Sequence, residues 1–233
     1  MNNYDHRNIA PQEFNEGLAL LSQRRSVRGY LPEELPKATL ERVFSVAQHA
    51  PSNCNTQPWQ LAVVSGQRCR ELAGKISAAM AVGEMSLDFP YDGVYQGVYR
   101  ERQHRSAAAL YSALGVTRED KAGRHEAFMR NFDFFGAPHV AFFFLPEPFG
   151  VREAADLGMY AQSVMLAMTA LGIGCCPQTA LSFHADMVRA ELGLGDDLRL
   201  LFGLSFGYAD PDHPSQLCHT ERAALADTVQ FFS

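Results

Sequence analysis

Polar and apolar positions along this chain repeat with two periods, one helical and one strand-like. Residues 12–22 (QEFNEGLALLS) predict a short amphipathic helix that ends at the basic run QRRSVRGY, and LPEELP follows as a proline-punctuated loop. In ATLERVFSVAQHA, Leu40, Val43, Phe44, Ala47 and Ala50 recur at helical spacing until Pro51 stops the helix. PSNCNTQP is then a loop, residues 59–64 (WQLAVV) a strand, and residues 67–81 another helix. The pattern loosens between Val82 and Tyr99, which predicts an irregular insertion, continued by helices near 100–114 and 118–131.

The run PHVAFFFLP, with a proline at each end, is the clearest strand signal. A long helix over 152–171 leads to Gly172 and Gly174, which suit a helix C-terminus. Then come a loop (CCPQTALSF), a helix near 184–193, a strand within 199–208 and a helical tail after Thr220. Few strands among many helices predict a sheet packed between helices in one α+β domain over 1–233, with the insertion near 82–131.

Composition narrows the class. With 233 residues, 47% hydrophobic and 20% charged, the chain buries a sizeable core and is neither disordered nor fibrous. A net charge of −6 gives no broad attraction to nucleic acid or anionic membrane, so neither is an expected partner. Five cysteines with no CxxC pair and no metal-finger spacing predict a reducing cytoplasm and no metal site. The N-terminal MNNYDHRNIAPQEF has no apolar core segment and reads as no secretory signal. Residues 159–176 carry no charge over a length near the roughly 18 residues of a membrane span. Gln162, Ser163, Thr169, Gly172 and Gly174 interrupt that stretch, so it predicts a buried core helix.

Against this acidic background Arg24, Arg25, Ser26, Val27 and Arg28 stand out. Three guanidinium groups and a hydroxyl within five residues suit a phosphomonoester, which arginine binds bidentately; equally, cations after a helix complement its C-terminal dipole. Residues 50–59 (APSNCNTQPW) gather short amide and hydroxyl side chains on one loop, either an ordinary polar loop or a set of neutral donors and acceptors that reads the edge of a planar heterocycle.

RRSVRGY followed by APSNCNTQPW resembles the nitroreductase family of flavoenzymes, with a nitrobenzoate-reductase-like branch among its members. The likeness continues in Gly172-Ile173-Gly174-Cys175-Cys176-Pro177-Gln178, similar to the family's loop below the flavin ring. It ends in Gly207-Tyr208-Ala209-Asp210 with Arg222, similar to its C-terminal phosphate-binding region. The resemblance implies a mixed central β-sheet flanked by helices in an intertwined homodimer. It also implies bound FMN reduced by NADH or NADPH, and ping-pong hydride transfer to a nitroaromatic or quinone-like acceptor. No side chain need act as catalyst, because the flavin carries the redox chemistry.

By the same resemblance Arg24, Arg25, Ser26 and Arg222 contact the FMN phosphate and Arg28 the ribityl chain or pyrimidine edge. Pro51, Ser52, Asn53, Asn55 and Gln57 serve a flavin site, some of them that of the other subunit. Pro177, Gln178, Thr179 and Ala180 offer backbone N–H groups to the ring. Two departures stand out. His219 replaces a second basic residue and makes its phosphate contact pH-dependent. Arg130 and Asn131 are offset candidates for the polar pair before the central strand, and Asp133 is electrostatically wrong beside a reduced anionic flavin. Phe89, Tyr91, Tyr95 and Tyr99 in the insertion form either an aromatic lid over the acceptor or a hydrophobic satellite cluster.

Other readings start from other motifs. Gly203-Leu204-Ser205-Phe206-Gly207 matches the G-x-S-x-G of a serine hydrolase, yet it lies inside a strand-like run followed by YADPDHP rather than by a helix. Gly172 and Gly174 follow a helix, which a dinucleotide fingerprint does not, and there is no Walker loop or HExxH. A dehalogenase, a flavin-degrading enzyme or an azoline oxidase would use the same cofactor site, and a non-catalytic flavin-binding protein would need only the binding residues.

Overall fold

The computed structural model describes residues 11–233, and side chains from Glu16 onward. The reading of the N-terminal segment as no secretory signal therefore falls mostly outside the described residues. Seven α-helices are present among them: α1 (Pro11–Gln23), α2 (Lys37–Ala47), α3 (Gly66–Ala81), α4 (Gly97–Ala113), α5 (Lys121–Met129), α6 (Val151–Ala170) and α7 (Ala185–Leu192). Four strands, β1 (Gln60–Ser65), β2 (His139–Pro146), β3 (Gly174–Gln178) and β4 (Leu198–Gly207), form one sheet in the order β1-β2-β4-β3.

The phenylalanine run explains the layering. In β2, Val140, Phe142 and Phe144 point into one core cluster with Leu72, Ile76, Leu181 and Val188, so α3 and α7 cover that face. Ala141, Phe143 and Leu145 point into the other, with Val43, Leu157, Tyr160 and Val164, so α2 and α6 cover the opposite face. Burying each large side chain contributes about 1.5–3 kcal/mol. Packing of α6 through Leu157, Tyr160, Val164 and Met168 makes it the buried helix its sequence predicts. No described helix is long and apolar enough to cross a membrane.

The structure corrects the sequence reading in several places. All three strand pairings are antiparallel, so the expected mixed sheet is reduced to isolated parallel bridges such as Ser26 with Cys175. Residues 175–178, expected as loop, join Gly174 in β3, which pairs with β4 from Gly174–Gly207 to Gln178–Gly203. One glycine and a proline within it hid a strand whose partner is distant in sequence. Gly172, at φ +71°, closes the turn after α6, whereas Gly174 opens the strand. In place of the expected helical tail after Thr220 there is irregular chain with one short 3₁₀ turn at Leu225–Asp227.

The insertion is firmly rooted. Asp88 accepts from the Arg189 guanidinium at 2.5 Å and from the Leu200 N–H at 2.6 Å, while Ser86 pairs with the segment before α7. Asp120 caps α5 by accepting from the Gly123 N–H at 2.8 Å, which shortens the second expected helix to Lys121–Met129.

Candidate functional site

Backbone pairing brings the basic cluster to the sheet. Ser26 bridges Cys175, the Val27 N–H donates to the Cys175 carbonyl at 3.0 Å, and Leu31 N–H donates to Tyr208 at 2.9 Å. Val27 and Tyr30 are buried, and the Tyr30 hydroxyl is shared between the carbonyls of Val27 at 2.8 Å and Ser205 at 3.0 Å. With those apolar anchors turned inward, Arg24 and Arg28 are left half-buried at the surface.

A cavity of about 360 Å³ opens there, and it unites the two ends of the chain. Arg24, Arg25, Ser26 and Arg28 line one side; His219 and Arg222 line the other. No carboxylate lines the cavity, and none of the described ion pairs uses its arginines. Such a wall of guanidinium and hydroxyl groups without a carboxylate fits the phosphate of FMN and disfavours a cation. Sequence reading missed Ser22, Ser106, Cys218 and Thr220 in the lining; Ser106 comes from α4, which no motif connected to this region. Besides lining the cavity, the Arg25 guanidinium donates to the Gln216 carbonyl at 2.6 Å and to Gln216 Oε1 at 2.5 Å. It clamps the C-terminal segment against the cluster. Arg222 donates to the Thr220 hydroxyl at 2.9 Å, and Arg28 stands over the Phe135 ring at 5.9 Å.

Pro177 and Thr179 are exposed at the end of β3, and Ala180 is half-buried. A 3₁₀ turn at Thr179–Phe183 begins there, and the leading N–H groups of such a turn have no partner within it. The Gln178 side chain is otherwise occupied. Its amide donates to the Asn131 carbonyl at 2.9 Å, and its own oxygen accepts from the Ser205 hydroxyl. Asn131 in turn donates to the Phe128 carbonyl at 2.9 Å. Ser205 is 0% exposed and spent on Gln178, so the G-x-S-x-G reading fails: its hydroxyl does not face solvent. Cys176 pairs with Ser205 in register while Cys175 belongs to the opposite core cluster, and burial pushes the Cys175 thiol up to about 12 and the Cys176 thiol in the same direction.

Residues 51–57 stay on the surface. Cys54 and Asn55 in the Asn53–Asn55 turn, and Gln57 after it, adopt positive φ (49°, 57° and 48°), outside the range of a regular right-handed helix. Ser52 accepts from the Gln57 N–H at 2.9 Å, and the buried carboxylate of Asp156 on α6 accepts from the Asn53 N–H at 3.1 Å. Asp156 carried no sequence signal. Pro51, Asn53, Asn55 and Gln57 are exposed, Ser52 is half-buried, and none lines the arginine cavity within this chain.

Arg130 is turned away from the cavity. It donates to His213 Nε2 at 2.6 Å and to the Phe135 carbonyl at 3.1 Å. Arginine has only donors, so Nε2 accepts, while Nδ1 stands 2.8 Å from the Ser215 hydroxyl and 3.2 Å from the Ser215 N–H. Burial and the Arg130 charge hold His213 below its usual range, with Asp210 opposing. Burial raises the Asp133 carboxyl, against the pull of Arg130.

The four aromatic candidates separate. Phe89 is half-buried against the α2/α6 core with the Arg199 guanidinium 4.3 Å above its ring, so it is a packing residue rather than a lid. Tyr91, Tyr95 and Tyr99 are exposed. Tyr91 lies 5.7 Å from Phe183, and burial, then a hydrogen bond with Tyr95, raises its phenol.

Residues 21–208 match the family model described as Nitroreductase family. The chain is 46% identical over 213 residues to nitroreductase NfnB of Mycolicibacterium smegmatis, covering 91% of each protein. It is 32% identical to 4-nitrobenzoate reductase of Pseudomonas putida, covering 82% of this chain and 85% of that one. The crystal structure of the FMN-dependent nitroreductase NfnB from Mycobacterium smegmatis in complex with NADPH superimposes with a TM-score of 0.90 at 44% identity. That match covers 94% of this chain and all of the other.

Proposed function

This chain belongs to the nitroreductase family, and from that membership we propose that it is an FMN-dependent NAD(P)H oxidoreductase reducing nitroaromatic or quinone-like acceptors. The observation that carries the reading is the arginine cavity, where Arg24, Arg28 and Arg222 converge without a carboxylate. Those residues, with Ser26 and His219, would hold the phosphate of FMN. Bound there, FMN supplies hydride acceptance from a nicotinamide and hydride donation to the acceptor.

The rest of the chain's work is binding and orientation. Charge-assisted bonds from Arg24 and Arg222 fix the phosphate, and Arg28 extends positive potential toward the sheet end of the site. Gln178, Thr179 and Ala180 would present backbone donors at the end of β3, shaped by Pro177, which has none, on a mount held by the Gln178 contacts to Asn131 and Ser205. The exposed amide loop of Pro51, Ser52, Asn53, Asn55 and Gln57 would complete the site of a second copy, which makes the active species a homodimer. Tyr91, Tyr95 and Tyr99 would cover the acceptor, the whole acting as one flavin-binding domain with an insertion. Free, unpaired cysteines suit the cytoplasm.

Purified protein is expected to be yellow, to release FMN and not FAD on denaturation, and to be bleached anaerobically by NADPH or NADH. Added nitroaromatic or quinone should restore the colour. A colourless preparation that also fails to take up FMN overturns the proposal. Turnover confined to dehalogenation, flavin breakdown or azoline oxidation would leave the cofactor site standing and replace the acceptor.

A further inference from the structure

Helix α4 is 17 residues long, yet none of its residues is buried. A helix of that length ordinarily hides one face in the core. Instead, two of its faces line cavities. Arg102, Arg105, Ser106 and Ala109, at helical spacing, face the C-terminal segment. His104 and Tyr111, on the far side of the helix, face a separate cavity toward α5 of about 710 Å³, and Ala108 lies at the boundary and lines both.

That second cavity belongs to no part of the flavin site. His104, Tyr111 and Ser112 come from α4, Thr117 and Arg118 from the connection, and Arg124 from α5. Two guanidinium groups, an imidazole and three hydroxyls line it, and no carboxylate does. Asp120, the nearby acid, is committed to capping α5. The Nε of Arg124 is buried without a hydrogen-bond partner, an unusual position for a group that gives up strong hydration to be there. Ala107, Ala108 and Val116 supply apolar wall beside the Tyr111 ring, and the volume falls within the range of ordinary ligand pockets.

We propose that the cavity between α4 and α5 is a subsite for a phosphomonoester on a planar nucleoside, the 2′-phosphoadenosine end of NADPH, and that it favours NADPH over NADH. The inference rests on the proposed use of a reduced nicotinamide nucleotide. Arg118 and Arg124 bind the phosphate dianion, and the hydroxyls of Ser112 and Thr117 complete its shell. The adenine lies along Tyr111 and the alanines. NADH lacks the phosphate and leaves Arg124 unpaired.

The test uses the flavin-loaded enzyme in two arms. In calorimetry of the oxidised protein, adenosine 2′,5′-bisphosphate should bind, and adenosine 5′-monophosphate should bind far more weakly. Arg118→Ala and Arg124→Ala should each weaken the bisphosphate about 10-fold or more, and Arg124→Lys should restore part of it. In steady-state kinetics the same alanine variants should raise the ratio of KM for NADPH to KM for NADH by a similar factor. Arg118 is exposed, so Arg118→Ala keeps the test open if Arg124→Ala does not fold.

Three outcomes overturn the proposal: no bisphosphate binding by the parent protein, equal binding by parent and variants, or donor KM values that rise together. A change confined to the apparent affinity for a nitrobenzoate acceptor also overturns it, assigning the cavity to a carboxylate-bearing acceptor. Flavin content is read alongside. A parent protein without flavin would defeat the broader functional proposal, whereas a yellow, NADH-reducible protein indifferent to the 2′-phosphate would defeat this one alone.

Discussion

The Ser205 hydroxyl donates to the side-chain oxygen of Gln178 inside the sheet, joining β4 to the end of β3. Ser205→Ala leaves that oxygen buried and unpaired, at a cost of about 1–3 kcal/mol. The expected result is a lower Tm with flavin content and hydride turnover retained. Complete loss of turnover in a fully flavin-loaded variant would restore Ser205 as a nucleophile.

Arg24 and Arg222 reach one cavity from opposite ends of the sequence. Losing one charge-assisted bond costs about 1.5–3 kcal/mol, so Arg24→Ala or Arg222→Ala should weaken FMN binding by roughly 10- to 150-fold. Quenching of flavin fluorescence during titration of the apoprotein reads this directly. Unchanged affinity in both variants removes the phosphate from this cavity.

Three histidines set an acid limit. His213 accepts from Arg130 and is held down by burial and by that charge; burial also lowers His139 and His184. Each is neutral in the fold and protonates more readily when unfolded, so the unfolded chain gains protons first as pH drops below about 6.5. Their stabilisation is complete above that pH and is lost as pH falls through the lower folded values. Tm should hold between about pH 8 and pH 7 and then decline toward about pH 5. In His213→Gln, whose amide oxygen can still accept from Arg130, the decline should be shallower. An identical slope would remove His213 from the effect.

Asp156 holds the amide loop from beneath through the Asn53 N–H at 3.1 Å. Asp156→Ala should lower stability by about 1–3 kcal/mol and speed proteolysis within residues 51–57. Equal cleavage rates in variant and parent would show that the loop stands without it.

How far the sequence revealed this arrangement depended on where each residue's partner lies. PHVAFFFLP declared its own burial, and the helices followed from local spacing. The cluster at Arg24–Arg28 was visible because charge density is a local property. Its cavity was not, because Ser106, Cys218 and Thr220 arrive through tertiary pairing. β3 escaped for the same reason: Gly-Cys-Cys-Pro-Gln has no period, and only its register with β4 makes it a strand. Side-chain direction was the least legible level. Arg25 turns to Gln216, Arg130 to His213 and Phe89 to the core, although each lies in the segment where sequence put it.

The clamp between Arg25 and Gln216 spans 191 residues. Residues 24–28 and 219–222 are separated in sequence by all four strands, so the two walls of the cavity meet only once the sheet between them has assembled. Arg25→Ala should therefore loosen one wall against the other and weaken FMN binding while the core stays folded.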